Sequence, residues 1–366
     1  MSAAIATLIG VSVVPSVWPS YQTSSSDLGM AESRRPINTF QGHSSWVYAI
    51  AVSPDDKTLV SGGYDGQIKI WDVRSGVLRQ TIKAHTDAIE ALAISLDGRF
   101  LVSGSWDNQV KVWDLKTLQE LETFEGHRDD VKTVAISADG KWVASGGTDR
   151  TVRLWQIETG QERFTWRRPA WVKTLAFSPD GAQVVSGGYD GGITVQSLNS
   201  ERIPQTWIGH KKAVWTIAFS PNGQTLASGS ADGALKLWQR PTGVIQKSFA
   251  AHNKTVSSLA WSPDSRYLVS SSTDKSIKVW NAHTGELLNH WIGHRKPIWS
   301  VAISSNGGVL ASGSSDQTIK LWSPFETRSS ADSTEQGKPS SIWALRKGRW
   351  NLPGSIQQYG RPSNGC

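Results

Sequence analysis

Serine, histidine and aspartate recur together along this 366-residue chain at a fixed spacing. A Gly-His or Ala-His pair ends at His43, His85, His127, His210, His252 and His294. An Asp follows each His by 22 residues: Asp65, Asp107, Asp149, Asp232, Asp274 and Asp316. A Ser stands four residues before each of those Asp, at Ser61, Ser103, Ser145, Ser228, Ser270 and Ser312. One such trio would suggest acyl transfer, with a Ser nucleophile, a His base and an Asp that orients it. Repetition argues against that, because an active site needs one activated nucleophile. The sets instead predict buried polar networks. In each, Asp accepts from His, His and Ser share a hydrogen bond in one direction or the other, and a Trp closes the chain. The Trp comes six residues after the Asp: Trp71, Trp113, Trp155, Trp238, Trp280 and Trp322.

A seventh set departs from the pattern. It keeps Ser186 and Asp190, but Arg168 stands in the His position and Gln196 in the Trp position. Arg168 can still pair with Asp190, so this repeat is expected to form with the weakest hydrogen bonds of the seven.

Other chemistry finds little support. The single Cys, Cys366, can form neither an intrachain disulfide nor a zinc site. Only His283 and His290 lie outside the repeated sets. There is no metal-ligand spacing and no phosphate-binding Gly loop. The expectation is a protein with no catalytic residue, no metal and no cofactor.

Short period-2 apolar runs surround each set, such as VYAIAV, KTLVSG and QIKIWD in the first. Alternation over that length predicts strands. Turn signals separate the runs, first SPDD, SLDG, SADG, SPDG, SPNG, SPDS and SSNG, then YDGQ, WDNQ and their counterparts. A fourth strand fits before each His, as in RQTIKAH, which gives four strands per repeat of about 42 residues. From Ile37 to Trp322 the chain resembles the WD-repeat β-propeller family. The resemblance implies an all-β fold of seven blades, each of four antiparallel strands, around a central channel. The segment INTFQGH (37–43) matches the outer-strand pattern but follows no triplet, so Ile37–Phe40 is expected to complete the seventh blade and close the ring. The even repeats also resemble bacterial members of the family in style.

The formal net charge of +7 raises nucleic acid as a partner. Six of the positive charges, however, belong to the repeat: Lys69, Lys111, Arg153, Lys236, Lys278 and Lys320 each precede a frame Trp by two. Their stems are expected to pack while their heads reach water, so nucleic acid is not the expected partner.

The family resemblance places the residue before each turn Asp at a loop tip on the face where partners usually dock. Two further positions per repeat flank an apolar residue on the first strand. Aromatics concentrate at these sites: Trp46, Tyr48, Tyr64, Trp106, Trp171, Tyr189, Trp215 and Trp299. Lys132 and Lys173 stand among them, with Asp130 and Glu90 adding acidic contacts. Other repeats use Ala, Ser or Thr at equivalent positions, so folding alone does not demand aromatics there. Two readings follow: the rings bind a partner peptide with apolar anchors and an acidic group, or they pack on one another and plug the channel mouth.

Residues 1–36 read as a disordered or artefactual leader, 37–323 as the propeller, and 324–366 as a linker and a basic aromatic tail. Ala3 to Val17 is mostly apolar but too short for a membrane span. The tail segment SIWALRKGRWNLPG has the residues to dock, to meet a membrane surface or to pack on the propeller. The resulting expectation is a cytoplasmic, monomeric scaffold or adaptor for other proteins or peptides. The alternative is a membrane-associated assembly factor anchored by its ends.

Overall fold

The computed structural model describes residues 35–198 and 204–324. Its 28 strands, β1 to β28 in chain order, form seven four-stranded antiparallel sheets. The first sheet is typical: β2 (Val47–Val52), β3 (Thr58–Gly63), β4 (Gln67–Asp72) and β5 (Leu78–Lys83) pair in chain order. The first strands of the other blades are β6 (Ile89–Ile94), β10 (Val131–Ile136), β14 (Val172–Phe177), β18 (Val214–Phe219), β22 (Val256–Trp261) and β26 (Ile298–Ile303). Each touches the first strand of the blades on both sides, and β2 meets β26, so these seven strands form a closed inner ring.

Closure uses the expected strand. The last blade orders as β1 (Asn38–Gln41), β28 (Thr318–Trp322), β27 (Leu310–Ser314) and β26. Asn38 pairs with Leu321 and Phe40 with Ile319. Phe40 is buried and stacks on Trp71 of the next blade, with ring centroids 5.5 Å apart. The first and last blades are thereby joined both by a hydrogen-bonded ladder and by packing.

The apolar core lies between blades rather than at one centre. The cluster at the closure joins Phe40, Ala311, Ile319 and Leu321 of the last blade to Val47, Leu59 and Trp71 of the first. Equivalent clusters fill other junctions, with Trp113, Trp155, Trp238, Trp280 and Trp322 each in one of them. Because each sheet has both faces covered by neighbouring blades, its second strand is buried along nearly its whole length, as β3 is. Close approach requires a minimal side chain at one position: a Cβ added to Gly104 would stand 2.8 Å from both Val131 and Val134 of the next blade.

Candidate functional site

The Ser-His-Asp sets form one directed relay in each of six blades. In the first, Trp71 Nε1 lies 2.8 Å from Ser61 Oγ, Ser61 Oγ 2.8 Å from His43 Nε2, and His43 Nδ1 2.9 Å from Asp65 Oδ2. The ends fix the direction. A carboxylate only accepts, so Nδ1–H donates to Asp65; in the neutral imidazole Nε2 then accepts from the serine O–H, whose oxygen accepts from the indole N–H. The same chain joins Trp113, Ser103, His85 and Asp107, and so on to Trp322, Ser312, His294 and Asp316. Ser61, Ser103, Ser145, Ser228, Ser270 and Ser312 are fully buried. A substrate cannot reach these hydroxyls, and an indole already occupies an Oγ lone pair.

Burial alone would raise the Asp65 carboxyl. The hydrogen bond from His43, with those from the Gln67 and Ser44 backbone N–H groups, outweighs it and holds the carboxyl below its ordinary range. Burial pushes His210 and His252 down, only partly offset by Asp232 and Asp274, which favours the neutral imidazole the relay needs.

The basic residues beside the frame Trp do not hold their heads free in water. Lys69 is buried, and its ammonium donates to Thr81 at 3.1 Å. Lys236 donates to Ser248 at 2.8 Å, Lys278 to the Ala251 carbonyl at 2.6 Å and Lys320 to Thr39 at 3.3 Å. Lys111 pairs with Glu120 at 2.9 Å, and Arg153 pairs with Glu162. The reason is register: Lys69 lies directly across the ladder from Thr81, and Lys236 from Ser248.

The channel mouth is built by seven matching irregularities. In every inner pair the register slips by one residue near the start of the first strand. In β2, Val47 pairs with Gly63 and Ala49 with Gly62, which leaves Tyr48 as the extra residue. The extra residues in the other blades are Glu90, Lys132, Lys173, Trp215, Ser257 and Trp299. A bulge bends its strand and re-aims the side chain it carries. All seven line one cavity of about 470 Å³, together with Trp46, Trp106 and Tyr189.

The ring of seven has two halves. Glu90, Lys132 and Lys173 are the charged half. Glu90 accepts from Lys132 at 3.0 Å, and also from Lys173 and Trp106 Nε1. Lys132 also reaches Asp130 at 2.8 Å. Burial would raise the Glu90 carboxyl, but the two ammonium charges and these hydrogen bonds hold it low. Burial would lower Lys132, but Glu90 and Asp130 raise it overall. The acid expected opposite the two lysines is thus supplied from within the chain. Each ammonium also lies over an indole, Lys132 at 4.1 Å from the Trp106 centroid and Lys173 at 4.7 Å from that of Trp215.

The aromatic half runs continuously. Trp215 stacks on Trp299 at 6.1 Å, and Trp299 meets Tyr48 at 5.8 Å. Tyr48 meets Trp46, Tyr64 and Trp106 at 5.9, 6.4 and 5.9 Å. Burial, then the charge of Glu90, push the Tyr48 phenol well above its ordinary value. Trp171 and Tyr189 form a separate pair at 5.1 Å. Tyr64 and Trp171 stand outside the cavity lining and join it through these ring contacts. The rings therefore pack on one another and still face outward: Trp46, Tyr64, Trp171 and Tyr189 are 41 to 48% exposed. Sequence reasoning placed Glu90 only as an accessory contact and passed over Ser257. The available signal was that Glu90 is the one acid among the seven residues at this position.

The fourth blade, β14 with β15 (Gln183–Gly188), β16 (Gly192–Ser197) and β17 (Gln205–Ile208), carries the altered frame. Arg168 reaches Asp190 at 3.3 Å, and Gly192 N–H donates to the same carboxylate at 3.1 Å. In the other six blades the residue after the His also donates its backbone N–H to the Asp, as Ser44 does to Asp65 at 3.1 Å. Pro169 holds that place here and has no N–H to give. Asp190 is accordingly more open, its side chain 24% exposed against 6% for Asp65.

Comparison with known proteins agrees with this architecture. Residues 34–72, 76–114 and 118–156 each match the family model described as WD domain, G-beta repeat. Residues 171–346 match the model of the first β-propeller of IFT122. Among curated proteins, small ribosomal subunit protein RACK1 of Medicago sativa is 51% identical over 39 residues, covering 11% of this chain and 12% of that protein. Protein pleiotropic regulatory locus 1 of Arabidopsis thaliana is 34% identical over 83 residues, covering 19% and 17%. Protein HIRA of Zea mays is 43% identical over 47 residues, covering 13% and 5%. The chain thus spans less than a fifth of the length of each of these relatives.

Proposed function

Because the chain belongs to the WD-repeat β-propeller family, we propose that it is a non-catalytic scaffold whose channel mouth holds a peptide segment of another protein. The observation that carries this reading is the set of seven bulges that aim Tyr48, Glu90, Lys132, Lys173, Trp215, Ser257 and Trp299 into one cavity of about 470 Å³. Aromatic rings supply large contact area with few rotamers to freeze. A closed ring of sheets keeps those anchors fixed before binding, which lowers the ordering cost of association. Glu90 and Asp130 together already balance the two lysines, so the partner is anchored by apolar or aromatic side chains and not by an acidic group. The Ser-His-Asp sets support the non-catalytic part of the reading, since their hydroxyls are buried and committed to the frame.

The test is capture of partners by the wild type and by a Trp46→Ala, Trp106→Ala, Trp299→Ala triple variant, with a melting curve to establish that the variant is folded. Partners bound through the mouth are expected to be lost. Retention of every partner by the folded variant overturns the reading.

A further inference from the structure

In six blades a frame indole covers the buried serine. In the fourth, Gln196 stands in its place and makes its amide hydrogen bond to the Ser197 carbonyl at 3.2 Å instead. Ser186 Oγ consequently has neither an indole nor an imidazole partner, although Ser186 itself is buried. A cavity of about 220 Å³ occupies this part of the blade. Val152, Val184 and Trp166 give it apolar walls, while Arg168, Ser186 and Gln196 give it polar ones. Its exposed edge includes Arg167, Pro169 and Pro204, between the outer strand β13 (Glu162–Arg167) and β17.

Three unfinished polar groups converge there. Arg168 has its side chain only 5% exposed, yet its guanidinium bonds a single protein acceptor, Asp190, at 3.3 Å. A guanidinium carries five N–H donors, so most of them have no acceptor from the described residues. Gln196 Oε1 is buried with no hydrogen-bond partner. Ser186 Oγ can donate or accept. Buried polar groups in a folded protein are ordinarily paired, so an orphaned Gln196 Oε1, beside an Arg168 and a Ser186 with bonding capacity to spare on the same cavity, points to a ligand. Charge sets its sign. Arg167 and Arg168 both line the cavity, and no carboxylate does among the described residues. Burial also disfavours the Arg168 charge, and Asp190 offsets that only in part, which leaves an anion a further stabilising role.

We propose that this cavity is a binding site for a small aromatic carboxylate that carries a hydrogen-bond donor, such as a hydroxyaryl acid. The flat ring takes the slot between Val152, Val184 and Trp166. The carboxylate accepts from Arg168, and the O–H donates to Gln196 Oε1. The site lies between two blades and does not depend on the channel-mouth reading.

Calorimetric titration of the full chain with 4-hydroxyphenylacetate tests it. Binding is expected with a Kd on the order of 0.1–1 mM for a ligand of this size. The neutral analogue 4-hydroxyphenylacetamide and the donor-free phenylacetate are each expected to bind at least about tenfold more weakly. Arg168→Gln is expected to lose about tenfold or more. A second variant guards against misfolding: Arg168→His with Gln196→Trp rebuilds the frame seen in the other blades and fills the slot. It is expected to melt at a higher temperature and bind no acid. The channel-mouth triple variant is expected to bind as the wild type does. Absence of binding to the wild type at millimolar acid, or equal binding by the refilled double variant, overturns the proposal.

Discussion

A serine hydroxyl held between an indole N–H and an imidazole is satisfied in both its roles, and its removal strands two partners at once. Ser103→Ala leaves Trp113 Nε1 and His85 Nε2 buried and unpaired. The expected loss is about 2–3 kcal/mol by urea denaturation. Ser186→Ala, the same change in the fourth blade, is expected to cost less than about 1 kcal/mol, because Ser186 has no such partners to strand. Equal losses at the two positions would contradict the assignment of the fourth blade as frame-deficient. Spacing in the sequence already separates two neighbouring tryptophans by role. Trp113 follows Asp107 by six and is a buried frame residue, whereas Trp106 stands before it and donates to Glu90 at the mouth. The role of Glu90 was not legible in the same way. Its clamp comes from the next two blades, with Lys173 lying 83 residues away in sequence. Glu90→Gln leaves two ammonium groups facing each other in a mostly buried site, and a loss of about 2–4 kcal/mol is expected. Denaturation of Glu90→Gln beside Glu90→Gln with Lys173→Met checks the cause, since removing one ammonium should recover part of the loss.

At the scale of the strand, alternation and turn chemistry are strong signals and the bulge is a weak one. VYAIAV reads as a plain strand, and no Gly or Pro marks the slip at Tyr48. The slip arises from pairing with β3, which period-2 reading of one strand does not contain. The candidate residues could therefore be gathered from repeat positions, while the reason they converge could not. The closing strand was legible because its pattern repeats that of the other outer strands. Its worth is testable. Phe40 is nearly fully buried and packs on Trp71 across the closure. Phe40→Ala is expected to cost about 3–5 kcal/mol, read from the denaturation midpoint. Deleting residues 1–41 removes β1 and bares an edge of β28, and the expected product is unfolded or associated through that edge. A truncated chain that sediments as a monomer and melts as the full chain does would refute closure by this strand.

The whole molecule repeats one buried relay around a ring, and its stability responds to acid through two of the relay histidines and through the frame carboxylates. His210 and His252 are pushed below the ordinary 6.5 by burial, with Asp232 and Asp274 offsetting only part of the effect. Each is neutral when folded, while the unfolded chain takes up its proton as pH falls through about 6.5. The unfolded state then binds more protons than the native state, so stability falls as pH falls. The frame carboxylates act in a lower window. Burial would raise Asp65, Asp107, Asp149, Asp274 and Asp316, but the partner histidine and backbone N–H groups outweigh it and hold each below the ordinary 3.8. Their contribution is fully present above that value and is lost progressively as pH falls from it through the lower value of the folded state. The expected profile is a melting temperature that is level from pH 8 to 7 and falls by roughly 3–6 °C towards pH 5. It should then drop more steeply below about pH 4. Melts followed by circular dichroism at constant ionic strength check this. A melting temperature that holds level or rises between pH 7 and 5 would mean that burial does not keep His210 and His252 neutral in the native state, and the direction assigned to the Ser228 and Ser270 hydroxyls would then be wrong.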